Sequence, residues 1–133
     1  MSYVDELTFS LVRVLDHATF YDDIRMVGYA ANLDFWIGEI RHCLDCIQNY
    51  ESRQRKLIAA RKDYLVQREL DLDPILLTPA TTPDELRKLE NRVTSAAKSF
   101  LRKCCKKGFI EYTREKEIEQ LLGFSINMRR SLD

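Results

Sequence analysis

Glu39 and His42 have the residue types and the spacing of a metal-binding motif. Residues three apart on a helix project side by side, and Glu-x-x-His pairs hold metal ions in helical di-iron proteins. Such sites need further carboxylates and usually a second pair, whereas the other histidine, His17, has no glutamate three residues before it. A metal-binding helical-bundle enzyme is therefore a remote alternative to a half-exposed histidine beside a solvated glutamate.

Four cysteines are the second group that could carry chemistry. Cys43 and Cys46 lie one helical turn apart, and Cys104 and Cys105 are adjacent. With His42 they could form a zinc site. Zinc and redox cysteines usually lie on turns or at helix starts, however, whereas Cys43 and Cys46 fall within a helical pattern of apolar residues. Packed, reduced thiols are the favoured interpretation, and no cofactor or metal is expected.

Motifs of the common enzyme classes are missing from the sequence. It contains no glycine-rich phosphate loop, no Gly-x-Ser-x-Gly elbow and no paired-histidine metal motif. Asp16 and His17 could be drawn into a triad with a serine, but adjacency in sequence does not provide the geometry. We therefore expect a protein that is not an enzyme.

A strongly basic segment at residues 86–107 is the clearest candidate binding surface. Its net charge is +7 in a chain whose net charge is zero. A second basic group follows residue 52, and both groups could contact an anionic partner such as the phosphates of a nucleic acid. The proposed contact residues are Lys88, Arg92, Lys98, Arg102, Lys103 and Lys106, with Arg53, Arg55, Lys56, Arg61 and Lys62 in the second group.

Aromatic residues for base stacking are scarce in these two groups. Tyr64 lies beside the second group, and Phe100 of the first is expected to face the core. Nucleic-acid binding would therefore use the phosphate backbone with little sequence specificity. The alternative, which we favour, is that acids of the N-terminal half neutralise the basic face within one fold or between subunits. The acids proposed for this role are Asp22, Asp23, Asp34 and Asp45.

The basic segment carries the signals of a helix at 83–107. Thr82 can cap the N-terminus, Pro83 suits the first helical position, and Glu85 can complete a capping box. Apolar residues recur at helical spacing from Leu86 onward, and Gly108 can end the helix without steric cost.

The rest of the chain is also predicted to be helical. Helix starts are expected at Ser2, Thr19 and Thr113. Residues 20–70 as one helix would be about 75 Å long, which is too long for a compact domain of this size. We therefore expect a bend near residues 49–52, with a projecting segment that pairs with another chain as the alternative.

Length and composition fit one helical domain spanning residues 1–133, with 45% hydrophobic and 32% charged residues. No alternating strand pattern persists, and no apolar run approaches the roughly 18 residues of a membrane span. No signal peptide is visible, so a cytoplasmic location is expected. We predict an all-α, antiparallel bundle of four to five helices, with one long helix and a proline-containing linker at 71–82.

A family resemblance is confined to the C-terminal part of the chain. The positions that carry it are Gly108-Phe109-Ile110, Ile118, Leu121, Leu122, Ile126, Met128 and Ser131-Leu132. They resemble the last two helices of the small bacterial four-helix-bundle proteins linked to ribosomal-RNA intervening sequences. That resemblance implies ring-shaped oligomers and, in some relatives, nucleic-acid binding. It covers about a quarter of the chain, and the linker and earlier helices do not fit the family, so none is assigned.

The charge pattern therefore favours a non-enzymatic interaction or assembly module. It would be a homo-oligomer or bind a protein partner, and would self-associate through an acidic long helix and the basic helix. The alternative is a small nucleic-acid-binding accessory protein that uses the basic helix faces. No membrane partner is expected.

Overall fold

The computed structural model describes residues 3–20 and 24–126, which form five α-helices and no strand. The predicted all-α bundle, with one long helix and a linker between the third and fourth helices, is confirmed. No helix in the described ranges has both the length and the apolar character needed to cross a bilayer. The helices are α1 Tyr3–Phe20, α2 Ile24–Ala31, α3 Leu33–Gln67, α4 Pro83–Lys106 and α5 Tyr112–Leu122.

The core lies where α1, α3 and α4 pack on one another, and the most extensive contact joins α1 to α4. Each helix contributes apolar side chains three or four residues apart, which is the spacing that keeps them on one face. Phe100 of α4 is fully buried, and the edge of the Tyr29 ring approaches it with centroids 6.5 Å apart. Other fully buried side chains are Leu15, Met26, Ile40, Val93, Leu101, Cys104 and Ile118.

The start of α4 has the capping box that the sequence predicts. The Thr82 hydroxyl accepts the Glu85 backbone NH at 3.2 Å, and the Glu85 carboxylate accepts the Thr82 backbone NH at 3.3 Å. Pro83 occupies the first turn, and Gly108 follows the end of the helix at φ +79°. Local signals thus fix both ends of α4.

Replacing Thr82 with alanine should lower the free energy of unfolding by about 1 kcal/mol, because the Glu85 NH loses its acceptor. Chemical denaturation would measure the loss. Thr113→Ala is the matched control, since Thr113 lies inside α5 and is exposed. A control change of the same size as that of Thr82→Ala would contradict the capping explanation.

The break in the long helical span lies at Asn32, so the predicted bend near residues 49–52 is wrong. α3 runs without interruption from Leu33 to Gln67, and α2 ends immediately before Asn32. The Asn32 side-chain amide donates to the Gly28 carbonyl at 3.2 Å, and its backbone NH donates to the Tyr29 carbonyl at 3.1 Å. Asparagine side chains compete for helix backbone groups in this way, and Gly28 further weakens the local helix.

Two predicted helix starts also differ from the structure. Thr19 lies in the last turn of α1, where its hydroxyl donates to the Leu15 carbonyl at 2.7 Å. The N-cap of α5 is Glu111, two residues before the predicted Thr113. The predicted cap Ser2 lies outside the described residues.

The chain after α5 is held against α3 and α4. Gly123 ends α5 at φ +77°, and Arg41 of α3 donates to the Leu122 carbonyl at 3.0 Å. Arg102 of α4 donates to the Ile126 carbonyl at 2.6 Å. Burial alone would raise the pKa of Glu119, but hydrogen bonds from the Ile126 NH and the Ser125 hydroxyl, together with the nearby Lys116 ammonium, outweigh it and lower that pKa.

Candidate assembly surface

The C-terminal half of α3 and the linker that returns along it form an arm, which consists of residues 51–82. The 35 residues of α3 span about 52 Å, whereas the 24 residues of α4 span about 36 Å. Within residues 51–70, all of which the structure describes, Leu65 is the only buried side chain. The second half of α3 therefore extends past the three-helix core.

The linker is fixed to α3 by side-chain hydrogen bonds. Gln54 donates its amide to the Thr81 carbonyl at 2.6 Å and accepts the Thr81 NH at 3.0 Å. The hydroxyls of Tyr50 and Thr81 lie 3.3 Å apart. Arg61 donates to the Leu76 carbonyl at 3.3 Å. The arm thus consists of the end of α3 and the linker, residues 71–82, which is hydrogen-bonded along it and is called the strap below.

A large part of the arm surface is apolar. A groove of about 510 Å³ runs between α3 and the linker. It is lined by Leu57, Ala60, Arg61, Tyr64, Leu65 and Leu76. Seven large apolar side chains of the arm are 45–80% exposed, and exposed apolar surface of this kind is typical of interaction sites. They are Leu57, Tyr64, Val66, Leu70, Leu72, Ile75 and Leu76.

Charge is distributed unevenly along the arm. Residues 52–62, nearest the bundle, carry five basic residues and no acid, for a net charge of +5. Residues 63–73, which include the tip, carry four acids and one base, for a net charge of −3. The returning residues 74–82 carry no charge. The end of the arm nearest the bundle, residues 52–62, is therefore a cationic base, and residues 63–73 form an anionic tip.

The second basic group predicted from the sequence lies on the arm, but its members do not share one face. At about 100° per residue, Arg53 lies about 40° and Lys56 about 100° around the helix from Leu57, while Arg55 and Lys62 lie about 140–160° from it. Among the described residues, none of these four cations has a hydrogen-bond or ion-pair partner. Arg61 contacts the linker.

The basic residues of α4 divide into two sets. Lys88, Arg92 and Lys106 are exposed along one side of α4, together with Ser95 and Ser99, at spacings of three, four or seven residues, and this side borders a groove beside α1. The others contact neighbouring segments of the chain: Lys98 lies over the Phe124 ring, Arg102 bonds the Ile126 carbonyl and Lys103 bonds the Thr19 carbonyl.

Two of the acids proposed to neutralise α4 are paired elsewhere. Asp34 forms an ion pair with Arg114 of α5. Asp45 bonds Arg41 of its own helix at 2.8 Å. Asp22 and Asp23 lie outside the described residues. Asp16 of α1 is a carboxylate that lines the same shallow groove as Arg92.

The side chains that could carry metal or thiol chemistry are dispersed. His42 is exposed and its Nε2 lies 3.5 Å from the Cys46 sulfur, while Glu39 is half-buried. In the part of the chain that the structure describes, no group of three or more His, Cys, Asp or Glu side chains could hold a metal ion. Burial raises the pKa of the Cys43 thiol and raises that of Cys104 to about 12.

The contact residues proposed from the sequence omit the apolar ones of the groove, above all Leu57, Ala60 and Leu76, although the alternative of a projecting segment includes Leu57 and Tyr64. Their spacing on a charged helix was a usable signal for Leu57, Ala60 and Tyr64. Their exposure follows from the length of α3 relative to its neighbours, which periodicity alone does not give. The chain matches no protein-family model, no curated protein and no solved structure.

Proposed function

We propose that this protein is a non-enzymatic assembly module of the cytoplasm that self-associates, and that the arm carries the contact. The single observation that supports this most strongly is the row of exposed apolar side chains on a helix that extends past its own bundle. Apolar surface left uncovered in this way favours association. The four free thiols fit a reducing compartment.

The arm is a better candidate than a contact between the acidic and basic helices. α3 and α4 already pack on each other within one chain, so much of the surface through which α3 of one chain could contact α4 of another is already buried. The cationic face of α4 contains serines and no large apolar residue, whereas interfaces usually have an apolar centre.

Light scattering across about 1–100 µM protein tests the proposal, a range in which weak to moderate dimers dissociate measurably. We expect at least twice the mass of one chain at the upper end, with a fall on dilution. A strictly monomeric mass at about 100 µM would reject self-association.

A second candidate function is binding to the phosphate backbone of a nucleic acid through α4. Lys88, Arg92 and Lys106 have no hydrogen-bond or ion-pair partner among the described residues, and Ser95 and Ser99 between them can also donate to phosphate oxygens. Repeating the light scattering with a short nucleic acid tests this function. Binding should weaken steeply as salt rises, and no binding at low salt would exclude it.

A further inference from the structure

We infer that two copies of the chain pair arm to arm, antiparallel, about a two-fold axis that passes between Ala60 and Tyr64. This inference rests on the proposed self-association and specifies its surface and geometry. A two-fold contact uses the same patch on both chains, so the patch must be complementary to itself. The arm meets that condition in side-chain spacing and in charge.

The spacing is that of a coiled-coil seam. Arg53, Leu57, Ala60, Tyr64 and Gln67 recur at intervals of four, three, four and three residues, so they lie along one stripe of α3. All except Gln67 and Arg53 are apolar, and all five are exposed.

The strap leaves this stripe open because it covers the neighbouring side of the helix. Gln54 contacts Thr81 of the linker, and Leu65, the one buried side chain of the arm helix, lies on that same side. The groove beside the stripe is bounded by Leu76 of the strap. A second helix can therefore pack against Leu57 and Ala60 without displacing the linker, and the small Ala60 permits close approach.

Charge selects the antiparallel orientation. Parallel arms would place the cationic residues 52–62 of both chains side by side, and likewise the two anionic tips. Antiparallel arms place each cationic base beside the partner's anionic tip. With the axis between Ala60 and Tyr64, Ala60 meets the partner's Tyr64, Leu57 meets the partner's Gln67, and Arg53 approaches the partner's Asp71.

The size of the arm fits a second copy as its occupant. A standard interface uses about 20–30 residues and ~800 Å² on each partner. The arm consists of residues 51–82, and its exposed apolar side chains lie on both the helix and the strap. A short peptide without charged residues could fill the groove, but the cationic base and the anionic tip of the arm would then have no opposite charges facing them.

The test compares Ala60→Glu with Ala59→Glu by sedimentation equilibrium. Both alanines are exposed on the same helix, so both variants should fold, which circular dichroism would verify. Ala60 lies on the stripe, whereas Ala59 is rotated by about 100° away from it. Ala60→Glu should weaken the dimer by about 100-fold or more, because two carboxylates become buried near the axis. Ala59→Glu should change the dimer affinity by less than about threefold.

The outcomes separate this inference from the proposed function. A dimer that resists Ala60→Glu would overturn the arm contact while leaving self-association intact. Equal weakening by both alanine variants would overturn the antiparallel stripe, since the effect would then follow charge and not position. A monomeric wild-type chain at about 100 µM would overturn both proposals, because no second copy would then cover the groove.

Discussion

Two arm variants of opposite charge are expected to pair with each other although neither pairs with itself. In the first, Arg53→Glu and Lys56→Glu make the stripe side of the arm acidic from base to tip. In the second, Asp63→Lys and Asp71→Lys make it basic. Each variant alone should lose about 100-fold in dimer affinity, because every base-to-tip contact becomes a like-charge contact. An equimolar mixture should recover to within about tenfold of wild type.

The recovery follows from the polarity of the arm. In the mixture the stripe side of one arm is acidic at positions 53, 56, 63 and 71 and that of the other is basic at the same positions, so opposite charges face each other across the contact. The apolar stripe is unchanged in both variants, and all four substituted residues are exposed, so the fold should be unaffected. Native mass spectrometry distinguishes the mixed dimer from the two parents when one variant carries an isotope label.

A charge-matched control separates the effect of charge on the stripe side from the effect of net charge on dimer affinity. Arg55→Glu with Lys62→Glu changes the charge of the arm by the same amount as the first variant, but on the opposite face of α3. This control should retain dimerisation to within about threefold at moderate salt, where distant charges are screened. If it dissociates as the first variant does, or if the mixture stays monomeric, base-to-tip pairing is wrong.

Local chemistry explains why the helices could be predicted from the sequence. The capping box at Thr82 and Glu85 and the glycine after α4 are signals within a few residues, so they were read directly. The break at Asn32 was missed because a single asparagine within an apolar helical pattern is a weak signal. The expectation of a bend near residues 49–52 rests on the assumption that a domain of this size is compact. The arm does not obey that assumption, because the second half of α3 extends past the core.

The candidate surface depends on information that lies outside any one segment. The charges of residues 52–73 are visible in the sequence, but their arrangement along an arm follows from where α4 and the linker meet α3, at Gln54 and Thr81. The basic residues of α4 look equivalent in the sequence. The structure separates Lys88 and Lys106 on the open face from Arg102, which bonds the chain after α5.

Replacing Phe100 with alanine is expected to lower the free energy of unfolding by about 3–5 kcal/mol, several times the loss expected for Thr82→Ala. Phe100 is fully buried in α4, and its ring contacts that of Tyr29, so truncation removes apolar burial and leaves a cavity between helices. Rigid helices close such a cavity only partly.

Urea denaturation at a protein concentration below that of self-association would measure the loss without a contribution from the dimer. Phe9→Ala is the matched control, since Phe9 is 56% exposed on α1 and its removal should cost less than about 1 kcal/mol. Phe100→Leu should fall between the two because leucine fills much of the same space. Native domains are stable by only about 5–15 kcal/mol, so Phe100→Ala should remove a large fraction of the total. A loss no greater than that of Phe9→Ala would contradict the packing of α1, α3 and α4 around this ring, and with it the bundle from which the arm extends.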